Sequence, residues 1–296
     1  MRCYFLLFYS SFSRVNLIEL KKMMNYRIIY SVVFVLIGFH ASSQGIHFSG
    51  SRSNSLANAS VCLEDVYSYH NNPANLSYIE NVSIGISYEN RFLLKELQNQ
   101  SWAIAIPLKY GVLSLGGNTF GYQNYRTFKN GMGYAMFLNK ELSMGVQLNH
   151  QLVRLPEAYG INQTLTGEFG FNYAIDSDWS IGLSVFNLGR NKLSVSPDDR
   201  YSTSMRLGSK YSISDRTLIV AELEKDIEHP LRSKIGIEYL PSNSIAFRIG
   251  FVTQPIDLGF GLGWNISDKY VLDFGTQYHQ ILGWSPNISF KYAVIK

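Results

Sequence analysis

Asp273, Gln277 and His279 share one face of an alternating stretch, YVLDFGTQYH, and form the most enzyme-like grouping in this chain. A histidine beside a carboxylate can act as the base for a serine nucleophile. The spacing supplies no matched serine, so His279 reads as a hydrogen-bonded histidine at the rim of whatever this stretch builds. His150 has the parity of Leu148 and Leu152 and reads as an interfacial residue. GFGLG, residues 259–263, has the outline of a phosphate-cradling loop, but its glycines alternate with Phe260 and Leu262 as in a strand. HExxH, GxSxG and P-loop signatures are absent from the sequence. No catalytic residue, metal site or cofactor is assigned.

Eight charged residues raise a different question: Glu168, Arg206, Lys210, Lys234, Glu238, Arg248, Asp273 and Lys291. Each falls on the glycine-, serine- and asparagine-rich face of an alternating stretch. They are in rough balance, as expected for an ion-pair network holding something in place. A lining that selects a permeant would be better served by rings of one sign.

The elements that carry these charges are strands. From about residue 81 the alternation hardly stops: VSIGISY, WAIAIPL, GVLSLGGNT, MGYAMFL, LSMGVQL, LTGEFGFNY, WSIGLSVFNL, MRLGSKYSI, TLIVAELEK, KIGIEY, IAFRIGF, LGFGLGWNI, YVLDFGTQY and ISFKYAV. About fourteen strands at regular spacing predict a sandwich or a barrel. In WSIGLSVFNL the large residues Trp179, Ile181, Leu183 and Val185 share one face, and Ser180, Gly182 and Ser184 the other. A soluble sandwich shows water a face dense in Lys and Glu. Here the polar face is rich in glycine, and the apolar face is aromatic on nearly every strand. A transmembrane barrel turns such a face to lipid and keeps the polar one for its lumen. The connections support this reading. KYG, NKE, DSD, SDR, PSN and SDK are tight turns. They alternate with NRFLLKELQNQ, FGYQNYRTFKN, LPEAYGINQ, LGRNKLSVSPDDRY and HQILGWSP, which read as longer surface loops, with TQPI as a short exception. The expected fold is therefore all-β: a single transmembrane antiparallel β-barrel over residues 82–296, in the outer membrane of a Gram-negative bacterium. Trp102, Trp179, Trp264 and Trp284 read as belt anchors.

Residues 1–44 are excluded from that fold. Lys21, Lys22 and Arg27 precede the apolar run IIYSVVFVLIGF and then HASSQG, which is the form of a secretory signal peptide. Met23 or Met24 reads as the initiator, with an upstream segment before it. This leader holds five basic residues against one acid, so it accounts for the whole formal charge of +4. The remainder is near neutral and carries no nucleic-acid footprint. Cys62 alone remains after cleavage, which excludes an internal disulfide.

Residues 45–81 lack alternation. SLANASVCLEDVYSYH reads as a helix with small residues on one side, broken by NNPANL. A barrel of about fourteen strands is wide enough to need a plug, and this small, partly helical segment is the candidate.

The small-residue helix, the Glu64-Asp65 pair and Asn72-Pro73-Ala74-Asn75-Leu76 resemble the N-terminal hatch of the FadL superfamily, in which an NPA-containing segment sits inside a fourteen-stranded barrel. Asn75 stands where many relatives have glycine. More closely, SRSNSLANASVCLEDVYSYHNNPANL, YENRFLLKEL and YHQILGWSPNISFKY resemble the PorV/PorQ branch of that superfamily. That resemblance implies a non-enzymatic accessory subunit of a type IX secretion or related surface-assembly machine, with protein partners in an outer-membrane complex. The wider superfamily implies the alternative, a plug-gated channel for small hydrophobic compounds. On the channel reading Asn72, Pro73, Ala74 and Leu76 are the ligand or plug residues. On the subunit reading Phe92, Leu93, Leu94 and Leu97, an apolar group in a loop, are the partner contacts; the loop could also fold back on the mouth.

Overall fold

The structure, a computed structural model, describes residues 48–155, 160–189, 201–227 and 229–294. The leader assigned to residues 1–44 lies outside them, as does most of LGRNKLSVSPDDRY.

Fourteen antiparallel strands close into one barrel in which each strand pairs with its sequence neighbours and β1 pairs with β14. They are β1 (Val82–Asn90), β2 (Gln98–Leu108), β3 (Gly111–Tyr122), β4 (Tyr125–Phe137), β5 (Leu142–Arg154), β6 (Ile161–Ala174), β7 (Trp179–Phe186), β8 (Ser204–Ser214), β9 (Thr217–Asp226), β10 (Arg232–Ser242), β11 (Ile245–Val252), β12 (Asp257–Ser267), β13 (Tyr270–His279) and β14 (Gly283–Val294). Closure pairs the backbone of the first and last strands, from Val82 opposite Val294 to Glu89 opposite Asn287, so neither presents an unpaired edge to hydrocarbon.

The large side chains face outward. Ile181, Leu207, Ile237, Phe247, Ile249 and Leu262 are exposed, and Ser180, Ser184, Arg206, Glu238 and Arg248 are buried inside. No helix among the described residues is long and apolar enough to cross a membrane. The barrel itself presents an apolar belt that only lipid can cover.

One end has turns of two to four residues, such as Lys109 and Tyr110 between β2 and β3 or Asp268 and Lys269 between β12 and β13. At the other end FGYQNYRTFKN is not a long loop. β3 runs to Tyr122 and β4 starts at Tyr125, so strand pairing extends to the tip. The alternation continues there with Phe128 half-buried and Lys129 buried inside, but the polar composition disguised it.

The N-terminal segment fills the interior. Helix α1 (Ser51–Ser55) and helix α2 (Ser68–Asn71) are single turns, and Pro73–Tyr78 forms a 3₁₀ helix. The continuous helix expected over SLANASVCLEDVYSYH does not form. After α1 the chain passes through the left-handed region at Ala57 (φ 53°) and Asn58 (φ 60°). From there, hydrogen bonds to wall and plug side chains replace the helical ladder.

Candidate functional site

The plug is seated on wall glycines. A Cβ on Gly145 would stand 2.4 Å from the Pro73 carbonyl carbon, and one on Gly250 would stand 2.3 Å from that of Leu56. Gly170, Gly182, Gly259 and Gly275 likewise face plug atoms at distances no side chain tolerates. Of the glycines of GFGLG, Gly259 meets plug backbone, Gly261 makes room for the Ser55 side chain, and Gly263 makes room for Arg248 and Asp273.

Asn72, Pro73, Ala74 and Leu76 are all buried and hold the plug together. Asn72 donates from Nδ2 to the carbonyls of Val61 (2.7 Å) and Phe171 on β6 (3.2 Å), and its Oδ1 accepts from the Ala74 N–H (3.2 Å). Asn75 donates to the carbonyls of Val61 and Leu63 at 2.9 and 3.0 Å. An amide at position 75 therefore does what a glycine could not: it ties two plug turns together. Leu76 packs with Val66, Tyr67 and Tyr69 of the plug against Ala103, Ala105, Val112 and Ala135 of β2, β3 and β4. This side of the plug–wall seam is apolar.

The opposite side is charged. Arg52 of α1 makes a two-pronged contact with Glu238, from Nε (2.9 Å) and Nη2 (2.6 Å). Arg248 bridges Glu238 (2.5 Å) and Asp273 (2.7 Å). Lys291 lies 3.3 Å from Asp273 and 3.9 Å from Asp65, which in turn lies 3.9 Å from Arg52. The six groups form a closed ring of alternating sign, with Arg52 and Asp65 from the plug and four members from β10, β11, β13 and β14. Such a ring is tolerated away from bulk water because every member has two opposite neighbours.

A second anchor centres on Glu222 of β9. Its Oε2 accepts from the Ser60 and Val61 N–H groups, both at 2.8 Å, and its Oε1 accepts from Lys234 at 2.8 Å. Lys234, whose side chain is fully buried, also reaches Glu224 (2.5 Å) and the Asn58 carbonyl (2.9 Å). Arg206 approaches Glu222 at 3.9 Å and bonds Ser184 at 3.3 Å. Glu168 pairs with Lys129, and Lys210 pairs with Glu64 of the plug. The Lys210 pair borders a polar cavity of about 390 Å³ between plug and wall, near the short-turn end.

All eight charges named from sequence thus face the lumen. Glu222, Glu224, Lys129 and Arg52 belong to the same networks and were not singled out, and Asp65 was named only for the hatch resemblance. For Glu222 the signal was its parity with Leu218 and Val220, both buried inside. Apolar residues on the inner face hid it.

Burial displaces the pKa values of several plug groups, Cys62 and His70 among them. Burial pushes the Cys62 thiol up to about 12, with the Glu222 carboxylate acting in the same direction. Burial, with Lys129 nearby, pushes His70 down to about 3, so it is neutral at its place against the Trp102 carbonyl (3.1 Å).

His279 sits at the rim. Its Nδ1 accepts from the Ile281 and Leu282 N–H groups at 3.1 and 3.2 Å, and its Nε2 lies 4.0 Å from Asp257. His150 is exposed on the outer face and contacts Gln163. Of the loop residues, Phe92 folds back: its N–H donates to Ser285 (3.0 Å) and its ring meets His279 edge-on at 5.8 Å. Leu97 is half-buried, whereas Leu93 and Leu94 remain exposed.

These features define a class: a closed transmembrane barrel of fourteen strands whose waist is filled by its own N-terminal segment. Solved structures of that form include the Ralstonia pickettii toluene transporter TbuX, with TM-score 0.63 and 11% identity over 85% of this chain and 100% of that one. The Pseudomonas putida toluene transporter TodX gives 0.64 and 11%, with 85% and 100% covered. A Pseudomonas aeruginosa FadL homologue gives 0.60 and 9%, with 84% and 99% covered. The fold is thus of the FadL type. No family model and no curated protein matches the sequence. The PorV/PorQ likeness rests on the sequence motifs alone.

Proposed function

We propose that this chain is a non-enzymatic outer-membrane channel whose plug gates the passage of small hydrophobic compounds. One observation carries the reading: one flank of the plug meets the wall through an apolar cluster, while ion pairs hold the other. In the ion-pair ring the plug contributes one cation and one anion, Arg52 and Asp65, and the wall two of each. Each set is neutral, so the ring holds this flank of the plug without a net charge on either side of the seam. Opposite the ring, the seam between Leu76, Tyr69 and Val66 and the alanines of β2 and β4 is lined for an apolar solute. Structures of the same fold include proteins described as toluene transporters, which supports a substrate of this kind. The test is initial uptake of labelled toluene by a Gram-negative host with an intact lipopolysaccharide layer. Expression of this chain should raise it several-fold over an unrelated closed barrel; an unchanged rate refutes the reading.

A second reading, an accessory subunit of a type IX secretion or related surface-assembly machine, draws on the PorV/PorQ resemblance and on the long-loop end. There Leu93 is 61% exposed and Ile281 76%, in loops joined by the Phe92–His279 contact. A large assembly co-purifying from detergent-solubilised outer membrane, and lost on Leu93→Ser with Ile281→Ser, would favour it. A monomer would refute it.

A further inference from the structure

The outer wall carries a concavity that neither reading uses. Ile84 and Ile86 of β1, Tyr270 of β13, and Phe290 and Tyr292 of β14 line a groove of about 350 Å³ on the membrane-facing side. Register builds it: Ile84 stands opposite Tyr292, Ile86 opposite Phe290, and Tyr270 opposite Tyr292. Tyr270 stacks on both of the β14 rings. Tyr270 lies 5.1 Å from Tyr292 and 6.1 Å from Phe290, with interplanar angles of 22° and 24°. They form one wall, and the two isoleucines lie beside it. The wall behind is braced, since the Tyr67 hydroxyl of the plug donates to the carbonyls of Ile86 (2.6 Å) and Phe290 (2.9 Å) across the closing seam.

We propose that this groove binds one acyl chain of a zwitterionic phospholipid. Three observations select that occupant. The lining is hydrocarbon and aromatic and lies within the outward apolar belt, where only chains of the bilayer reach it. Its level is that of an interface: Tyr270 opens β13 and Tyr292 lies two residues from the end of β14, so their phenols sit where amphipathic rings meet headgroups. The turn just beyond, Asp268 and Lys269, is exposed and carries one charge of each sign. Lys269 precedes Tyr270 and its carbonyl accepts from the Ala293 N–H, beside Tyr292. A phosphate and an ammonium on one headgroup complement that pair. The lipid belongs to the leaflet at the short-turn end, which in an outer membrane is the phospholipid leaflet. The site rests on the barrel's place in a membrane and on neither functional reading.

Native mass spectrometry of the detergent-solubilised protein tests this with phosphatidylethanolamine as the probe. The wild-type barrel should keep one lipid at collision energies that strip the rest. Ile84→Phe with Ile86→Phe fills the groove and should lower retention at least about tenfold, because the chain loses its packing contacts with the groove wall. Folding of the variant is read from heat-modifiable gel migration. Should it not fold, Asp268→Lys with Lys269→Asp leaves the groove intact and should shift retention toward phosphatidylglycerol less than a lone Asp268→Lys does. No retained lipid in the wild type, equal retention in the folded filled variant, or a dimer in place of the lipid adduct would overturn the proposal.

Discussion

Removing the Glu222 carboxylate should release the plug without unfolding the barrel. Glu222→Ala strips the acceptor from the Ser60 and Val61 N–H groups, each 2.8 Å away. A buried donor left unpaired costs about 1–3 kcal/mol. Lys234 keeps Glu224 and the Asn58 carbonyl, so its charge is not orphaned. The closed plug should therefore lose about 3–4 kcal/mol in total, which at 1.4 kcal/mol per decade is two to three orders of magnitude in the opening equilibrium. Cys62, the next residue but one after Ser60, reports the opening, since its buried thiol is sealed and almost fully protonated while the plug is seated. Once open, it reacts as an ordinary thiol, so its closed-state pKa does not bias the result. The maleimide labelling rate at pH 7.5 should rise about 100- to 1,000-fold, in the regime where labelling follows the open population. Glu222→Gln keeps one acceptor oxygen and should give an intermediate rate. Glu64→Gln breaks a partly exposed pair with Lys210, worth about 0–1 kcal/mol, and should change the rate no more than about fivefold. A Glu222→Ala rate within about threefold of wild type would refute the idea that this carboxylate anchors the plug.

His70 gives a pH dependence of known sign. Its folded pKa is depressed, so its contribution is present above the unfolded value near 6.5 and is lost as pH falls toward about 3. By pH 5 the plug should be loosened by about 2 kcal/mol, read as faster reaction of Cys62 with 4,4′-dithiodipyridine; His70→Gln should remove that acid increment. Gly145→Val should unseat the 3₁₀ helix, because its Cβ has no room beside Pro73. Cys62 should then label rapidly while heat-modifiable migration persists. On the outside, Ile249→Arg near mid-wall should lower barrel stability by about 2–4 kcal/mol, and Ile213→Arg beside a short turn by about 0–1 kcal/mol, in urea titrations of vesicle-inserted protein.

The wall was legible in the sequence because its constraint is local. Each strand must present lipid with large apolar side chains at every second position, and Ile245, Phe247, Ile249 and Phe251 do so whatever lies inside. The plug was less legible because its constraint is not local. Ser55, Leu56, Ala57 and Asn58 have a helical look, yet the chain there turns left-handed so that Ser60 and Val61 can meet a carboxylate 162 and 161 residues away. The same distance effect hid Glu222. In TLIVAELEK it resembles a solvated charge, and only the plug's return past β9 gives it partners. Asn75 is the converse case: a residue unremarkable for a turn proves to bond two carbonyls of another one.

The two sides of the plug differ in how they could move. Where plug backbone lies on wall glycine, as at Gly145, Gly250 and Gly259, no side chain intervenes and no rotamer can make room. Any gap there requires the whole plug to shift. Where side chain meets side chain, as in the cluster of Leu76 with Ala103, Ala105, Val112 and Ala135, rotation about χ1 and χ2 changes the spacing while the backbone stays seated. The ion-pair ring fixes one flank of the plug, and Glu222 fixes the turn after α1. The apolar flank along β2, β3 and β4 is therefore the part that can open at least energetic cost. It is also the part whose chemistry suits a solute without charge. A channel for hydrophobic compounds would place its path there, and the charges that first drew attention in the sequence would serve to hold the rest of the plug still.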